Sequence, residues 1–293
     1  MEWFGRYVLL ERVALGGMGE VFRAAALGSA GFSKAVAIKR ILPHLAADAA
    51  FVRMLVDEAK IASTLEHPNI IQVLDLGEHQ GAYFIAMEYV AGQSLSSILA
   101  AARKRGEKLP LGFAVNVVEQ ALRGLEHAHS RVDALGAPAS VIHRDVSPQN
   151  VMVGYNGVVK LADFGIAKAG EKTTETSPGH IKGKPSYMAP EQIHRGTDID
   201  CRIDIYAMGA VHHELLTMKA MREGTTDGQI LFEVAKGSFP TFESLSVDVS
   251  VALSDVIYRA LEPDPDKRWQ TAHDFAQALE SAAGGLGLRV SFR

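Results

Sequence analysis

The sequence predicts an α+β chain of two lobes, a small antiparallel β-sheet carrying one main helix and then a mainly helical lobe. Three observations predict it. Up to about residue 90 the apolar residues come in short runs rich in β-formers, separated by Gly and Ser. Beyond that point they recur at three- to four-residue steps, and Val90-Ala91-Gly92 between the two patterns offers a hinge. A length of 293 residues lets each lobe bury a core, and a cleft is expected at the hinge.

Residues 7–10, 20–23 and 35–39 read as the first strands. A helix is expected over residues 49–65, because Phe51, Met54, Leu55, Glu58, Ile61 and Ala62 recur at helical steps. It stops before His67-Pro68, since a residue preceding proline avoids the helical region. Residues 70–76 and 83–89 read as two more strands. After the hinge, residues 94–102, 112–130, 203–216, 227–236, 250–261 and 272–282 all carry the helical period. There are no internal repeats and no long low-complexity segments.

Composition narrows the function class. A net charge of −4 gives no electrostatic case for a nucleic-acid partner or a membrane surface. The single cysteine, Cys201, cannot form an internal disulfide, which favours a reducing compartment and a packed thiol over a metal ligand. No apolar run reaches the roughly 18 residues of a membrane span. The N-terminus carries Glu2 and Arg6 where a signal peptide would have its apolar core. The reading is a soluble, cytoplasmic protein.

The most informative stretch is His143-Arg144-Asp145-Val146-Ser147-Pro148-Gln149-Asn150, followed thirteen residues after the Asn by Asp163-Phe164-Gly165. Moving a γ-phosphoryl group needs a carboxylate to orient the attacking hydroxyl and oxygen ligands to hold Mg²⁺ against the nucleotide phosphates. Asp145 suits the first task, Asn150 and Asp163 the second.

From about Arg6 to Leu279 the chain resembles the eukaryotic-like (Hanks-type) Ser/Thr protein kinases of bacteria, with nearly every signature segment present and in order. The resemblance implies a bilobal protein-kinase-like fold, with residues 1–87 as the N-lobe, 88–92 as the hinge, 93–282 as the C-lobe and 283–293 as a tail. Gly284-Gly285 marks the edge. It also implies the cofactors ATP and Mg²⁺. Ala14 to Val21 matches the Gly-rich loop over the ATP phosphates, formed by Leu15, Gly16, Gly17, Met18 and Gly19, with Ala14 where the first glycine usually stands. Glycine lets backbone N–H groups approach phosphate oxygens, and Gly16 and Gly19 are expected to serve that purpose. A dinucleotide-binding reading of these glycines fails, because the loop joins two strands instead of a strand and a helix.

By the same resemblance Lys39, in Val36-Ala37-Ile38-Lys39, pairs with Glu58 nineteen residues on and positions the α/β-phosphates. Val21 and Ala37 roof the adenine, Met87 is the gatekeeper, the backbones of Glu88 and Val90 bond adenine, and Met152 paves the floor. The segment 183–191, ending in Tyr187-Met188-Ala189-Pro190-Glu191, matches the substrate-docking part of protein kinases, which small-molecule kinases lack. Glu191 is expected to pair with Arg268 as a buried ion pair, and Asp204 to brace the catalytic loop. His212 and His213, adjacent on a helix, point about 100° apart and are expected to pack, not to chelate.

Two residues depart from the family pattern. Ser147 stands where a lysine usually contacts the γ-phosphate, and Lys184 where a threonine is usual. Together they suggest a charge that has moved, with Lys184 supplying the catalytic ammonium. Arg144 is expected to hold a phosphorylated activation loop, with Thr176 or Ser177 as the modified residues and Thr173 and Thr174 secondary. The function implied is transfer of the ATP γ-phosphate to Ser/Thr hydroxyls of protein substrates, with self-association for autophosphorylation. The alternative is a nucleotide-binding pseudokinase that scaffolds a partner. Intact Lys39, Glu58, Asp145, Asn150 and Asp163 argue for transfer.

Overall fold

The structure, a computed structural model, describes residues 1–133, 135–164, 185–193, 199–222 and 226–285. Among these, residues 1–91 form one compact unit and those from Gly92 onward a second. The first contains β1 (Glu2–Phe4), β2 (Tyr7–Leu15), β3 (Gly19–Leu27), β4 (Ser33–Ile41), α1 (Pro43–Ala46), α2 (Ala49–Ser63), β5 (Val73–His79) and β6 (Ala82–Glu88). The strands form one six-stranded antiparallel sheet in the order β1-β2-β3-β4-β6-β5.

Strand alternation sorts the core of this unit into two layers. On one face Val36 and Ile38 of β4 pack with Phe4, Tyr7, Leu9, Ala24, Phe84 and Ala86. On the other, Ala37 and Ile41 meet Phe51, Leu55 and Ala59 of α2, together with Ile85 and Met87. Leu55 is fully buried there, a contribution of about 1.5–3 kcal/mol. Asp48 starts α2 by accepting the amides of Ala50 at 2.8 Å and Phe51 at 3.3 Å. The expected helix over residues 49–65 is therefore present and two residues shorter. Residues 67–70 make a turn, closed by Ile70 N–H to His67 O at 3.0 Å, and β5 starts at Val73, three residues later than expected.

The second unit contains β7 (Gly92–Ser94), α3 (Leu95–Arg105), α4 (Leu111–His129), β8 (Val151–Gly154), β9 (Val159–Leu161), α5 (Arg202–Thr217), α6 (Asp227–Ala235), α7 (Val251–Ala260) and α8 (Ala272–Gly284). All six helices expected after the hinge are present. Four of them begin on a hydroxyl cap: Ser94, Thr226, Ser250 and Thr271 accept the amides of Ser97, Gln229, Leu253 and Asp274. Each cap contributes about 1 kcal/mol. α5 is buried almost all round, as the central helix of a large core must be. A Cβ on Gly209 would lie 2.9 Å from Ala260 Cβ, so this glycine sets the close approach of α5 to α7.

β1 and the β7-β8-β9 sheet were not expected from the sequence. Runs of three or four residues are too short to show a period. Among the described residues no helix is long and apolar enough to cross a membrane.

Candidate active site

In the first unit the register pairs Lys39 with Val21 on β3 and with Ile85 on β6. Alternation therefore puts Lys39 on the α2 face of the sheet, between Ala37 and Ile41. Glu58 shares the buried face of α2 with Leu55, Ala59 and Ala62. Each is only 7% exposed, so an ammonium and a carboxylate enter the same apolar layer. Ala37 pairs with Met87, and both belong to that layer with Val21 packed against it. Glu88 N–H donates to Gln72 O at 2.9 Å.

The turn between β2 and β3 is closed by Gly16 N–H to Gly19 O at 2.9 Å. Its glycines differ in purpose. A Cβ on Gly17 would meet nothing within 4 Å, and one on Gly16 only Gly19 O at 3.8 Å. A Cβ on Gly19 would stand 2.4 Å from Arg40 O. The pairing of β3 with β4 thus leaves no room for a side chain at Gly19, whereas Gly16 and Gly17 are open positions. Ala14 pairs with Val21 inside β2, where a side chain is ordinary.

In the second unit a short loop holds the carboxylate and the amide together. Asn150 Nδ2 donates to Asp145 O at 2.8 Å and to Asp145 Oδ2 at 2.9 Å. Facing two acceptors, that end of the amide must be the NH₂, and with both its hydrogens engaged Oδ1 is what Asn150 can offer a cation. Asn150 O accepts Ala162 N–H at 2.8 Å, and Ala162 O accepts His143 Nε2–H at 3.0 Å. The residue before Asp163 is therefore fastened on both its polar groups. Asp163 itself has φ 58°, and Arg144 has φ 64°, left-handed conformations that cost non-glycine residues about 1–3 kcal/mol and persist only where the surroundings enforce them.

Asp204, at the start of α5 and 1% exposed, does much of that enforcing. Its Oδ2 accepts His143 N–H at 2.7 Å and His129 Nε2–H at 2.8 Å, and its Oδ1 accepts Arg144 N–H at 2.8 Å. Burial alone would raise the Asp204 carboxyl, but the His129 bond and the nearby imidazoles outweigh it and hold the group below its usual value. His143 is fully buried and shifted down by that burial, against the pull of Asp204 and Asp145. A neutral ring fits its bonds, with Nε2 donating to Ala162 O and Nδ1 accepting Asp145 N–H at 3.2 Å. His129 escaped the sequence analysis because its partner lies 75 residues away and no motif connects them.

Asp145 is half-buried, and Met152 lies on β8 opposite Ser94 of β7 and Lys160 of β9. Ser147 is fully buried, with its hydroxyl 3.5 Å from Asp145 O and its carbonyl accepting Asn150 N–H at 2.9 Å. It braces the loop from within. Lys184, Thr173, Thr174, Thr176 and Ser177 lie outside the described residues.

At the docking segment, Glu191 and Arg268 form the expected buried pair, Nη1 to Oε1 at 2.6 Å and Nη2 to Oε2 at 2.8 Å. Tyr187 Oη donates to Glu214 Oε2 at 2.5 Å, and Arg103 Nη2 donates to Glu214 Oε1 at 2.6 Å. Burial, then Glu214, raises the Tyr187 phenol far above its usual value and keeps it protonated. His212 and His213 pack as expected: His213 Nε2–H donates to Pro240 O at 2.8 Å and its ring stacks on Phe242.

Among the described residues no group of three or more His, Cys, Asp or Glu could hold a metal by itself. Asn150 and Asp163 supply two hard oxygen donors, a set that fits a divalent cation completed by phosphate oxygens and water.

The protein kinase domain family matches residues 7–281. The tyrosine-protein kinase MasK of Myxococcus xanthus is 42% identical over 281 residues, covering 96% of this chain and 43% of the relative. The serine/threonine-protein kinase PrkC of Bacillus subtilis is 34% identical over 278 residues, covering 95% of this chain and 40% of its own. Among solved structures, the kinase domain of Mycobacterium tuberculosis PknI has a TM-score of 0.71 and 30% identity, with 96% of this chain and 97% of that one covered. The chain spans less than half the length of the curated relatives named here.

Proposed function

Since this chain belongs to the protein kinase family, we propose that it transfers the γ-phosphoryl group of MgATP to Ser and Thr hydroxyls of protein substrates. One observation carries the reading: Asn150 binds the Asp145 carboxylate while its own carbonyl fixes the residue before Asp163. In this reading the bonds hold the proton acceptor and the two cation ligands to one another before anything binds. That is the preorganisation phosphoryl transfer relies on.

In this reading Asp145 orients the substrate hydroxyl and accepts its proton, and Asn150 and Asp163 hold the cation. When bound, Mg²⁺ offsets the negative charge of the phosphate oxygens. Lys39 holds the α/β-phosphates and is itself held by Glu58, since a buried ammonium and a buried carboxylate in one layer stabilise each other. Leu15, Gly16, Gly17, Met18 and Gly19 cover the phosphates. Val21, Ala37, Met87, Glu88, Val90 and Met152 surround the adenine. Lys184 supplies the ammonium that Ser147 lacks, and Arg144 receives a phosphate placed on Thr173, Thr174, Thr176 or Ser177 by a second copy of the chain. The single cysteine and the use of ATP suit work in the cytoplasm.

The test is incorporation of the γ-phosphate into a general protein substrate by purified chain, against an Asp145→Asn control. Asp145→Asn is expected to abolish transfer while leaving the melting temperature within about 2 °C. Near-full turnover in that variant would remove Asp145 from its role. Hydroxyl specificity has a second reading, carried by the relative that is named a tyrosine kinase. Phosphoamino-acid analysis of the product decides it, with phosphoserine and phosphothreonine expected and phosphotyrosine alone overturning the proposal.

A further inference from the structure

The β2–β3 turn is open on its outer side but fastened along its β3 leg. Leu42 N–H donates to Met18 O at 3.1 Å, Gly19 lies against the Arg40 carbonyl, and Glu20 then reaches sideways to both neighbouring strands. Glu20 Oε1 accepts Arg12 Nη1 of β2 at 2.7 Å, and Glu20 Oε2 accepts Arg40 Nη2 of β4 at 2.8 Å. Arg40 is steadied in turn by Glu2 at 3.2 Å and by the Phe22 ring at 4.8 Å. The Glu20 and Arg40 side chains are 19% and 26% exposed, against 54% for Arg12 and 56% for Glu2, so the Glu20–Arg40 bond is the partly buried centre of the network. A solvated surface pair would be worth little.

The sign of the charge is informative. An acidic side chain beside a turn that receives phosphates would repel them if it faced them. Here two guanidinium groups neutralise it and turn it along the sheet. The Arg40 bond, then the Arg12 bond, hold its carboxyl below the usual range, so it is ionised at neutral pH. The strand it reaches is the one that carries Lys39, the next residue to Arg40.

We propose that Glu20 is a positioning residue for the nucleotide phosphates, tying the Gly-rich turn to the strand of Lys39 through Arg40 and to β2 through Arg12. The proposal rests on the reading of that turn as the phosphate-binding loop. With the tether cut, the turn keeps its backbone bonds but samples a wider range of positions, and its N–H groups must be ordered again on binding. Phosphate-dependent affinity falls, while recognition of the adenosine end is unaffected.

The experiment is isothermal titration calorimetry of the purified chain with MgATP and with adenosine, on wild type, Glu20→Gln, Arg40→Gln and the double variant. Glu20→Gln is expected to raise the Kd for MgATP three- to tenfold and to leave the Kd for adenosine within twofold. The double variant is expected to lose no more than the worse single one, because the two residues act as one tether. Should Glu20→Gln fail to fold, Arg12→Gln removes only the Oε1 bond and is expected to give a smaller shift in the same direction. Equal loss for both ligands, additive losses, or no change for MgATP overturns the proposal. If the wild-type chain binds neither ligand, the phosphate-loop reading itself fails and this inference with it.

Discussion

Arg268 and Arg222 are both buried, both belong to the second unit and both lie against the Tyr206 ring, at 4.8 and 5.7 Å, yet their surroundings are opposite. Arg268 has five N–H donors and meets five acceptors: two Glu191 oxygens and the carbonyls of Glu262, Arg202 and Pro263. Arg222 donates through Nη2 to Tyr206 Oη at 2.5 Å, while its Nε and Nη1 meet no acceptor among the described residues. The shortage extends along α5. Both ring nitrogens of His212 and Nδ1 of His213 are buried without a partner among the described residues. One node stabilises because every polar atom is matched. The other holds polar groups in a core at a cost in free energy.

The largest effect expected from this contrast is on the matched side. Arg268→Met leaves the Glu191 carboxylate buried without its cation, and a loss of roughly 3–5 kcal/mol is expected in urea unfolding. A loss under 1 kcal/mol would mean that water reaches Glu191, and the contrast with Arg222 would collapse.

The second effect is acid sensitivity of the unmatched side. Burial first, then the neighbouring His213, pushes His212 down to about 3. Burial, opposed by the Pro240 carbonyl and aided by the charge of Arg222, pushes His213 down to about 4. Both rings are neutral in the folded chain, whereas the unfolded chain takes up protons near pH 6.5. The unfolded state therefore binds more protons between these values, and stability falls as pH drops from about 6.5 towards 4. Each histidine is expected to contribute a loss of about 2 kcal/mol between pH 7 and pH 5. Unfolding free energies of wild type and His212→Leu across that range measure it, the variant having the shallower slope.

The smallest effect has the opposite sign from most core substitutions. At neutral pH His212→Leu removes two unpartnered nitrogens and fills similar volume, so a gain of about 1 kcal/mol is expected in thermal unfolding. A loss of 2 kcal/mol or more would show that those nitrogens are satisfied in solution.

What could be read from the sequence depended on distance along the chain. The helices announced themselves through the apolar period, because that signal is local. Asp145, Asn150 and Asp163 were legible through fixed spacing, and the Glu191–Arg268 pair only through resemblance, since 77 residues separate its members. Nothing in the spacing distinguished Gly19, which packs on a neighbouring strand, from Gly16 and Gly17, which stand open.

The sequence by itself determined the class of fold, the order of its longer helices and strands, and the residue types a phosphoryl-transfer site requires. These follow from side-chain periodicity and from chemistry that only certain residues can perform. Tertiary structure alone decided that His129 meets Asp204, that Glu20 joins Arg12 to Arg40, and that one buried arginine is matched where another is not. Whether a buried polar atom finds a partner depends on which distant strand or helix packs beside it. That is fixed by the closing of the whole core and not by neighbours in the chain.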